Sequence, residues 1–546
     1  MRFTGWTTSR GAGWLLLPVV AFLLVFFAWP VARVLGASVT AEGGGFSLAS
    51  YAAFFASDTY LRILLRTIVS ALSVTALCLL IGYPYAYLMA RSRGGVLQLL
   101  GGIVLLSFFT SVMVRSFAWI VLLQRNGIID RAAQALGLES LVLRGTAFGV
   151  VLAMVQIMLP FMIFPLYSAM AGIDERLESA STSLGANRWT TFRRVFLPLS
   201  LPGIVSGSVI VFVTSLGFYI IPGLVGSPSS QLLSHLIYSL IDTLLDTAMA
   251  STASVVLLAL ALGLVLPVMW RFDVGTTVAR FTGVERAPRP VAWPLVAWAV
   301  GVAVLLLLPA LVVIPISLPE NRSFVFPPTG LSLKWYANFF AQDVWWESLL
   351  TSLKVALLVT LASVLLSVLA ALALRRVSPR TRGLVRALVL TPRIVPGILI
   401  AIAVYGLFLG WRLNVSTLGF VIAHTVMALP FAFIPIASAV EQFDGRLEHA
   451  SASLGATRWT TVWRVLLPMV RTGLLTGGLF AFVISFDEVI VSLFISGPTM
   501  RTLPVQMYRS IATDVDPTIA AASTMLLLIT AGLVAASLLR ARRRAP

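Results

Sequence analysis

The chain has 546 residues, 59% of them hydrophobic and 11% charged, against roughly 45–50% apolar residues in a soluble domain. So little polar surface cannot face water on every side, and a soluble enzyme is excluded. Lys and Arg number 39 and Asp and Glu 21, a net charge of +18, and where that charge sits decides what it means.

In chain order, the apolar runs long enough to cross a bilayer, which takes about 20 residues, predict twelve spans. Six lie at 14–35, 61–90, 97–124, 147–170, 203–226 and 248–270, and six more at 292–318, 349–374, 387–411, 418–440, 473–497 and 517–539. The loops between them hold no stretch long enough for a sizeable soluble domain, so any catalytic unit must be another chain. With the N-terminus on one side, that side's loops carry 25 of the 39 basic residues, the opposite loops 8 and the spans 6. Basic loops stay in the cytoplasm. Both termini are therefore predicted inside, and the basic balance reads as topology rather than as a nucleic-acid surface. Arg540, Arg542, Arg543 and Arg544 at the C-terminus fit the same rule and are expected to touch anionic lipid. Arg2 and Arg10 precede a first apolar run that exceeds a signal-peptide core and lacks a convincing small-residue cleavage site, so it reads as a retained anchor. Cys78 is the one cysteine and His235, His424 and His449 are scattered, which leaves neither a disulfide framework nor a metal-ligand set.

A repeat organises the chain. Arg176-Leu-Glu-Ser-Ala-Ser-Thr-Ser-Leu-Gly-Ala-Asn-Arg-Trp-Thr-Thr through Pro198 recurs from Arg446 through Pro468, with 17 of 23 positions identical at an offset of 270. Tyr51, Phe54 and Phe55 match Tyr336, Phe339 and Phe340 at an offset of 285, so the first half carries about 15 extra residues, in the loop Arg125–Gly145. Both repeats follow the fourth span of their half. An all-α integral membrane protein of about twelve transmembrane helices is expected, in two pseudo-twofold-related six-helix halves, 1–285 and 286–546, joined by the basic link Arg271–Arg289. In each repeated loop (about 171–202 and 441–472) helix formers run to Leu-Gly-Ala, where glycine permits a left-handed turn, and a second short helix ends at Leu-Pro. One such element could be an interfacial anchor. Two copies that keep Glu178/Glu448, Ala180/Ala450, Gly185/Gly455 and Arg188/Arg458 while their membrane helices drift read as two equal sockets for two equal partners.

These loops resemble the EAA motif of ABC importer permeases, and the whole chain resembles two such permeases joined. The resemblance implies a type I importer fold in a bacterial inner membrane. It further implies two copies of a cytoplasmic ABC ATPase docked on the loops, and a periplasmic or extracytoplasmic solute-binding protein on the other side. Glu178, Ala180, Gly185, Arg188, Glu448, Ala450, Gly455 and Arg458 become the coupling residues by the same comparison. Ser179 and His449 occupy the family's glutamate position, with Glu178 and Glu448 one residue earlier. The chain itself has no Gly-x-x-x-x-Gly-Lys-Ser/Thr loop, and its only lysines are Lys334 and Lys354, so it is expected to carry no cofactor and to be no enzyme, with ATP and Mg on the partner.

Asp487 and Glu488 are the only acids within predicted spans. They are expected mid-span in the eleventh, where the first half has Gly217 and Phe218, followed by Tyr219. Carboxylates beside aromatics suit an organic cation in a water-poor site. The competing reading is an internal ion pair with Arg115, Lys354 or Arg393, which also sit in spans. Asp487, Glu488, Phe218, Tyr219 and Arg115 are the candidate pathway residues. Phe486-Asp-Glu-Val with Gly497-Pro498, Thr502–Tyr508 and Asp516–Ala521 resembles spermidine/putrescine permeases of the second type; Arg115–Val121 and Ser215–Pro222 resemble the first. The implied solute is a polyamine, with ferric iron or an aminophosphonate as alternatives. An ion-coupled secondary transporter is the alternative of another class; its usual Asp-Arg signature is absent after the second span, where Arg91-Ser-Arg-Gly-Gly stands.

Overall fold

A computed structural model describes residues 9–41, 44–271, 292–322, 326, 328, 330–513 and 516–542. The link after Arg271, Arg2, Arg543 and Arg544 lie outside the described residues, as do the side chains of Arg458, Arg540 and Arg542. Helices account for the ordered secondary structure throughout, and the only β pairing among the described residues is two isolated bridges. Among the described residues, nine helices are long and apolar enough to cross a membrane, or eleven if two bent pairs each count as one span, and the last helix runs Thr518–Arg542.

Several runs expected to be continuous are broken. The third divides into Gly94–Phe109 and Val112–Leu123, where Ser111 caps the second piece by accepting from the Met113 N–H at 3.2 Å. The ninth bends by 96° between Pro379–Arg393 and Gly397–Trp411, at the Val395-Pro396 step. In the fifth and eleventh, helices Leu197–Leu216 and Arg471–Phe486 stop at Gly217 and Asp487, and short helices Ile220–Val225 and Ile490–Ile495 follow. Hydropathy is blind to the breaks in the third and fifth, because the residues on either side are equally apolar.

Three π-turns, Leu24–Ala28, Phe192–Phe196 and Val462–Leu466, share one cause. In each, the next residue (Trp29, Leu197, Leu467) closes the wide turn by donating to a carbonyl five residues back, and a proline (Pro30, Pro198, Pro468) follows immediately. The widened turn makes room for a ring that would otherwise strike the carbonyl four residues before it.

The helices gather into two compact units that do not coincide with the two sequence halves. One contains Met1–Ser47 and Asp343–Gln506, the other Leu48–Gln342 and Met507–Pro546. In the first, the N-terminal span packs on second-half helices: Ser9–Leu23 lies on Asp343–Leu374, Trp29–Ser38 on Gly397–Trp411, and Phe26 meets Trp411 edge-on at 6.0 Å. In the second, the seventh span, Trp293–Ile316, packs on Asp58–Arg91 and Val112–Leu123. There the buried Gln156 amide joins Trp119 Nε1, which donates to its Oε1 at 3.3 Å, to the Leu306 carbonyl, which its Nε2 reaches at 3.2 Å. Each sequence half thus lends its first span to the unit built mainly from the other.

Within each unit the fourth and fifth spans of a half approach closely at glycine. A Cβ on Gly203 would stand 2.6 Å from Ala169 Cβ and 2.8 Å from the Pro165 carbonyl, and the copy, Gly473, meets Ala439 and Pro435 in the same way. Such small-residue contacts let helix backbones touch in lipid. Gly203→Ala is therefore expected to lower the melting temperature of the purified protein, at a cost of about 1–3 kcal/mol. Gly263→Ala, whose Cβ meets nothing within 4 Å, is the control and should leave it unchanged or raise it.

The extra loop of the first half is shaped by one buried acid. Asp130 accepts from the Asn126 N–H at 2.7 Å, the Leu141 N–H at 2.7 Å and Ser140 Oγ at 2.9 Å, which ties helix Ile128–Ala135 to the returning part of the loop.

Candidate functional site

Each repeated loop is built twice by the same hydrogen bonds. In the first copy, Asp174 caps helix Glu175–Ser183 by accepting from the Arg176 N–H at 2.9 Å; in the second, Asp444 accepts from the Arg446 N–H at 2.9 Å. Gly185 stands at φ +85° and Gly455 at +79°. Around the first, Gly185 N–H donates to Thr182 O at 3.0 Å and Ala186 N–H to Ser181 O at 3.2 Å; Gly455 and Ala456 repeat this on Ala452 and Ser451. This pairing ends a helix on a left-handed residue, a conformation that costs other residues about 1–2 kcal/mol. Asn187 and Thr457 then cap the second short helices, Arg188–Thr191 and Arg458–Thr461. Ser181 to Thr191 (3.0 Å) and Ser451 to Thr461 (2.9 Å) tie the two arms of each turn together.

What the turn presents is apolar. Leu184 and Leu454 are each 88% exposed, and Trp189, Trp459, Ala180, Gly185, Arg188, Ala450 and Gly455 are exposed as well. Glu178 behaves differently. It is buried and pairs with Arg91, the last residue of helix Asp58–Arg91. Glu448 pairs with Arg375 at 2.7 Å and Arg376 at 3.1 Å, just past helix Asp343–Leu374. The sequence reading singled out the glutamates and missed these arginines. A signal existed: the offset of 285 that aligns Tyr51 with Tyr336 also carries Arg91 onto Arg376.

The second region is the break in the eleventh span, and there the two adjacent acids separate. Rather than lying mid-helix, Asp487 is the C-cap of Arg471–Phe486, partly exposed, and Glu488 is buried at the start of Ile490–Ile495. The Glu488 carboxylate accepts from the Val491 and Ser492 N–H groups, both at 3.0 Å. It therefore serves as the cap of a short helix, a favourable place for negative charge. His424, fully buried in helix Thr417–Glu441, bridges the break: its Nδ1 lies 3.0 Å from Ser485 Oγ and its Nε2 2.8 Å from Ser492 Oγ. Asp487 sits instead at the negative end of a helix, where a carboxylate is electrostatically disfavoured. Phe482 and Phe486 stack on each other at 5.7 Å in the last turn before it. Of the cations weighed as internal partners, Lys354 Nζ donates to Thr417 Oγ1 at 3.4 Å, and Arg393 lies over the Phe431 ring at 5.2 Å.

In the first half the corresponding break is aromatic. Phe218 and Tyr219 are buried, and the Phe218 carbonyl accepts from Ser234 Oγ at 2.7 Å. The Tyr219 hydroxyl lies 2.8 Å from that of Tyr508, and its ring stacks on His235 at 5.5 Å and meets Tyr238 at 5.0 Å. His235 and Tyr238 belong to helix Leu233–Asp242, between spans. Burial holds the His235 imidazole below its ordinary value, so it is uncharged at neutral pH, and burial together with Asp242 pushes the Tyr238 hydroxyl up to about 12. Arg115, buried in Val112–Leu123, donates from Nη1 to the Ile157 carbonyl at 3.5 Å, a structural contact to a neighbouring helix. Tyr508, at the end of the segment Thr502–Tyr508, is thus part of the Tyr219 cluster.

Residues 45–272 and 363–545 match the family described as "Binding-protein-dependent transport system inner membrane component". The spermidine/putrescine transport system permease protein PotB of Salmonella typhimurium is 28% identical over 272 residues, 48% of this chain and 94% of that protein. PotC of Haemophilus influenzae is 28% identical over 42% of this chain and 91% of its own length. The inner membrane ABC transporter permease protein YdcU of Escherichia coli is 36% identical over 37% of this chain and 67% of its own length. A solved bacterial alginate ABC transporter, in complex with a periplasmic protein bound to an alginate pentasaccharide, aligns at 22% identity and a TM-score of 0.42, over 50% of this chain and 97% of that one. With both halves matched, the chain belongs to the inner membrane components of binding-protein-dependent transport systems, the permeases of ABC importers, and joins two of them in one polypeptide.

Proposed function

We propose that this permease forms the path for a polyamine of the spermidine/putrescine class, received from a solute-binding protein on the outer side. ATP with Mg is hydrolysed on two copies of a separate cytoplasmic ATPase, one on each repeated loop, and both termini of the permease lie in the cytoplasm. The observation that carries the docking is the matched pair of turns, each with an 88%-exposed leucine beside a glycine of positive φ. A capped, cross-tied turn with an apolar tip suits insertion into a groove, because its shape is fixed before contact. The cationic solute is supported by Asp487 at the open end of a broken helix beside stacked phenylalanines, and by the names of PotB and PotC.

In the cycle, closure of the paired ATPases moves both loops, and the broken fifth and eleventh spans let the segments carrying Tyr219 and Asp487 change aspect. No covalent step on the permease is needed. The test is the ATPase rate of the complex reconstituted with its binding protein, measured across spermidine, putrescine, ferric iron and an aminophosphonate. Stimulation by the polyamines is expected. Stimulation by the aminophosphonate alone removes the cationic reading, and solute uptake by the permease without any ATPase removes the docking.

A further inference from the structure

Glu178 and Glu448 face inward, and what they hold is the cytoplasmic end of the second span of each half. The Arg91–Glu178 pair is largely enclosed, each side chain only 10% exposed. The Arg91 guanidinium also lies over the Tyr87 ring at 5.0 Å and over the Phe196 ring at 5.3 Å. Phe196 ends the π-turn beyond the second loop helix, and it meets Tyr87 edge-on at 4.9 Å. From there Phe192 stacks on Phe196 at 6.1 Å and on Trp189 at 5.7 Å, which leads back to the exposed tip of the turn. Both arms of the loop thus close on one point: the first helix through Glu178, the second through Phe192 and Phe196, with Arg91 between them.

The other loop reaches the same result with different residues. Glu448 takes Arg375 and Arg376 together, and Arg375 lies over the Phe443 ring at 5.2 Å while donating to the Phe443 carbonyl at 3.4 Å. Two loops that differ in their aromatic lining keep a glutamate-to-arginine link at equivalent places. A purely local stabilising role would not require the arginine to stand at the end of the second span in both halves.

We infer that Arg91–Glu178 and Arg375/Arg376–Glu448 are the positioning links that make the second and eighth spans move with their loops. This rests on the loops being the ATPase-docking elements, and it deepens that reading by naming how the motion leaves them. A guanidinium enclosed by a carboxylate and aromatic rings resists separation, because parting the ions would leave each charge in a poorly hydrated site. The loop and the end of the span therefore shift as one body. The glutamates bear on the permease and the leucine tips bear on the ATPase.

The test uses the complete complex of permease, ATPase and binding protein in proteoliposomes, with three readouts: co-purification of the ATPase, solute-stimulated ATP hydrolysis, and solute imported per ATP. E178Q combined with E448Q is expected to retain the ATPase through purification and to lose at least tenfold in solute imported per ATP. Exchanging the charges in the first loop, R91E with E178R in an otherwise unchanged chain, is expected to restore most of the import that R91E alone loses. The inference is overturned if E178Q/E448Q imports as well per ATP as the unaltered chain, if the exchanged pair does no better than R91E alone, or if the glutamine variants lose the ATPase in proportion to import, which would make the glutamates docking contacts. A permease with Glu178 and Glu448 intact that binds its ATPase equally well after both loop tips are removed overturns the docking reading instead.

Discussion

Leu184→Asp combined with Leu454→Asp is expected to abolish ATPase co-purification and solute uptake, while the permease itself remains folded. The side chains are 88% exposed, so the free protein loses no core packing when they change, and its melting temperature should stay within about 1–2 °C, since surface substitutions away from special features fall within about 0.5 kcal/mol. In the complex the balance reverses. A leucine buried in a partner groove contributes about 1.5–3 kcal/mol, and a carboxylate forced into the same groove adds a desolvation penalty. Each loop should therefore weaken its ATPase contact by about a hundredfold or more, at about 1.4 kcal/mol per factor of ten. Each single variant keeps one intact loop, so L184D and L454D alone are expected to retain part of the ATPase while losing coupled import. Undiminished ATPase binding by the double variant would show that the tips do not dock, whatever the loops' likeness to one another.

The repeated turns were legible in the sequence because their chemistry is local. Capping residues, a left-handed glycine and a terminal proline all act within one or two turns of chain, and Asp174 with Gly185 and Pro198 say the same thing as Asp444 with Gly455 and Pro468. Apolar length likewise marked nearly every membrane helix. The rest depended on partners far apart in sequence. The Arg91–Glu178 link spans 87 residues, and no loop pattern announces it. The lending of the first span to helices of the other half is equally silent, because hydropathy reports that a helix enters lipid and says nothing of its neighbour. The breaks at Gly217 and Asp487 escaped for a third reason. Neither contains proline, and the short helices after them, Ile220–Val225 and Ile490–Ile495, continue the apolar run.

Asp487→Asn is expected to reduce the maximal rate of polyamine uptake at saturating loaded binding protein by roughly ten- to a hundredfold. Hydrogen bonds to a charged group contribute about 1.5–3 kcal/mol, and under the proposed function this carboxylate would meet a cation only inside the path, after the binding protein has released it. The paired control is Glu488→Gln. Both changes remove one negative charge from adjacent residues, but Glu488 accepts from the Val491 and Ser492 N–H groups at 3.0 Å, whereas Asp487 ends helix Arg471–Phe486 against the helix dipole. Glu488→Gln should therefore act on stability, weakening the cap of Ile490–Ile495 by about 1 kcal/mol and lowering the melting temperature. Asp487→Asn should instead change the melting temperature little, because the amide has the carboxylate's shape and keeps an acceptor oxygen at the C-cap of Arg471–Phe486. Uptake lost with stability kept, against stability lost in the neighbouring variant, separates a ligand from a strut. If Asp487→Asn imports polyamine at the unaltered rate, the cation passes without this carboxylate, and the aromatic break at Phe218 and Tyr219 becomes the place to look for its selectivity.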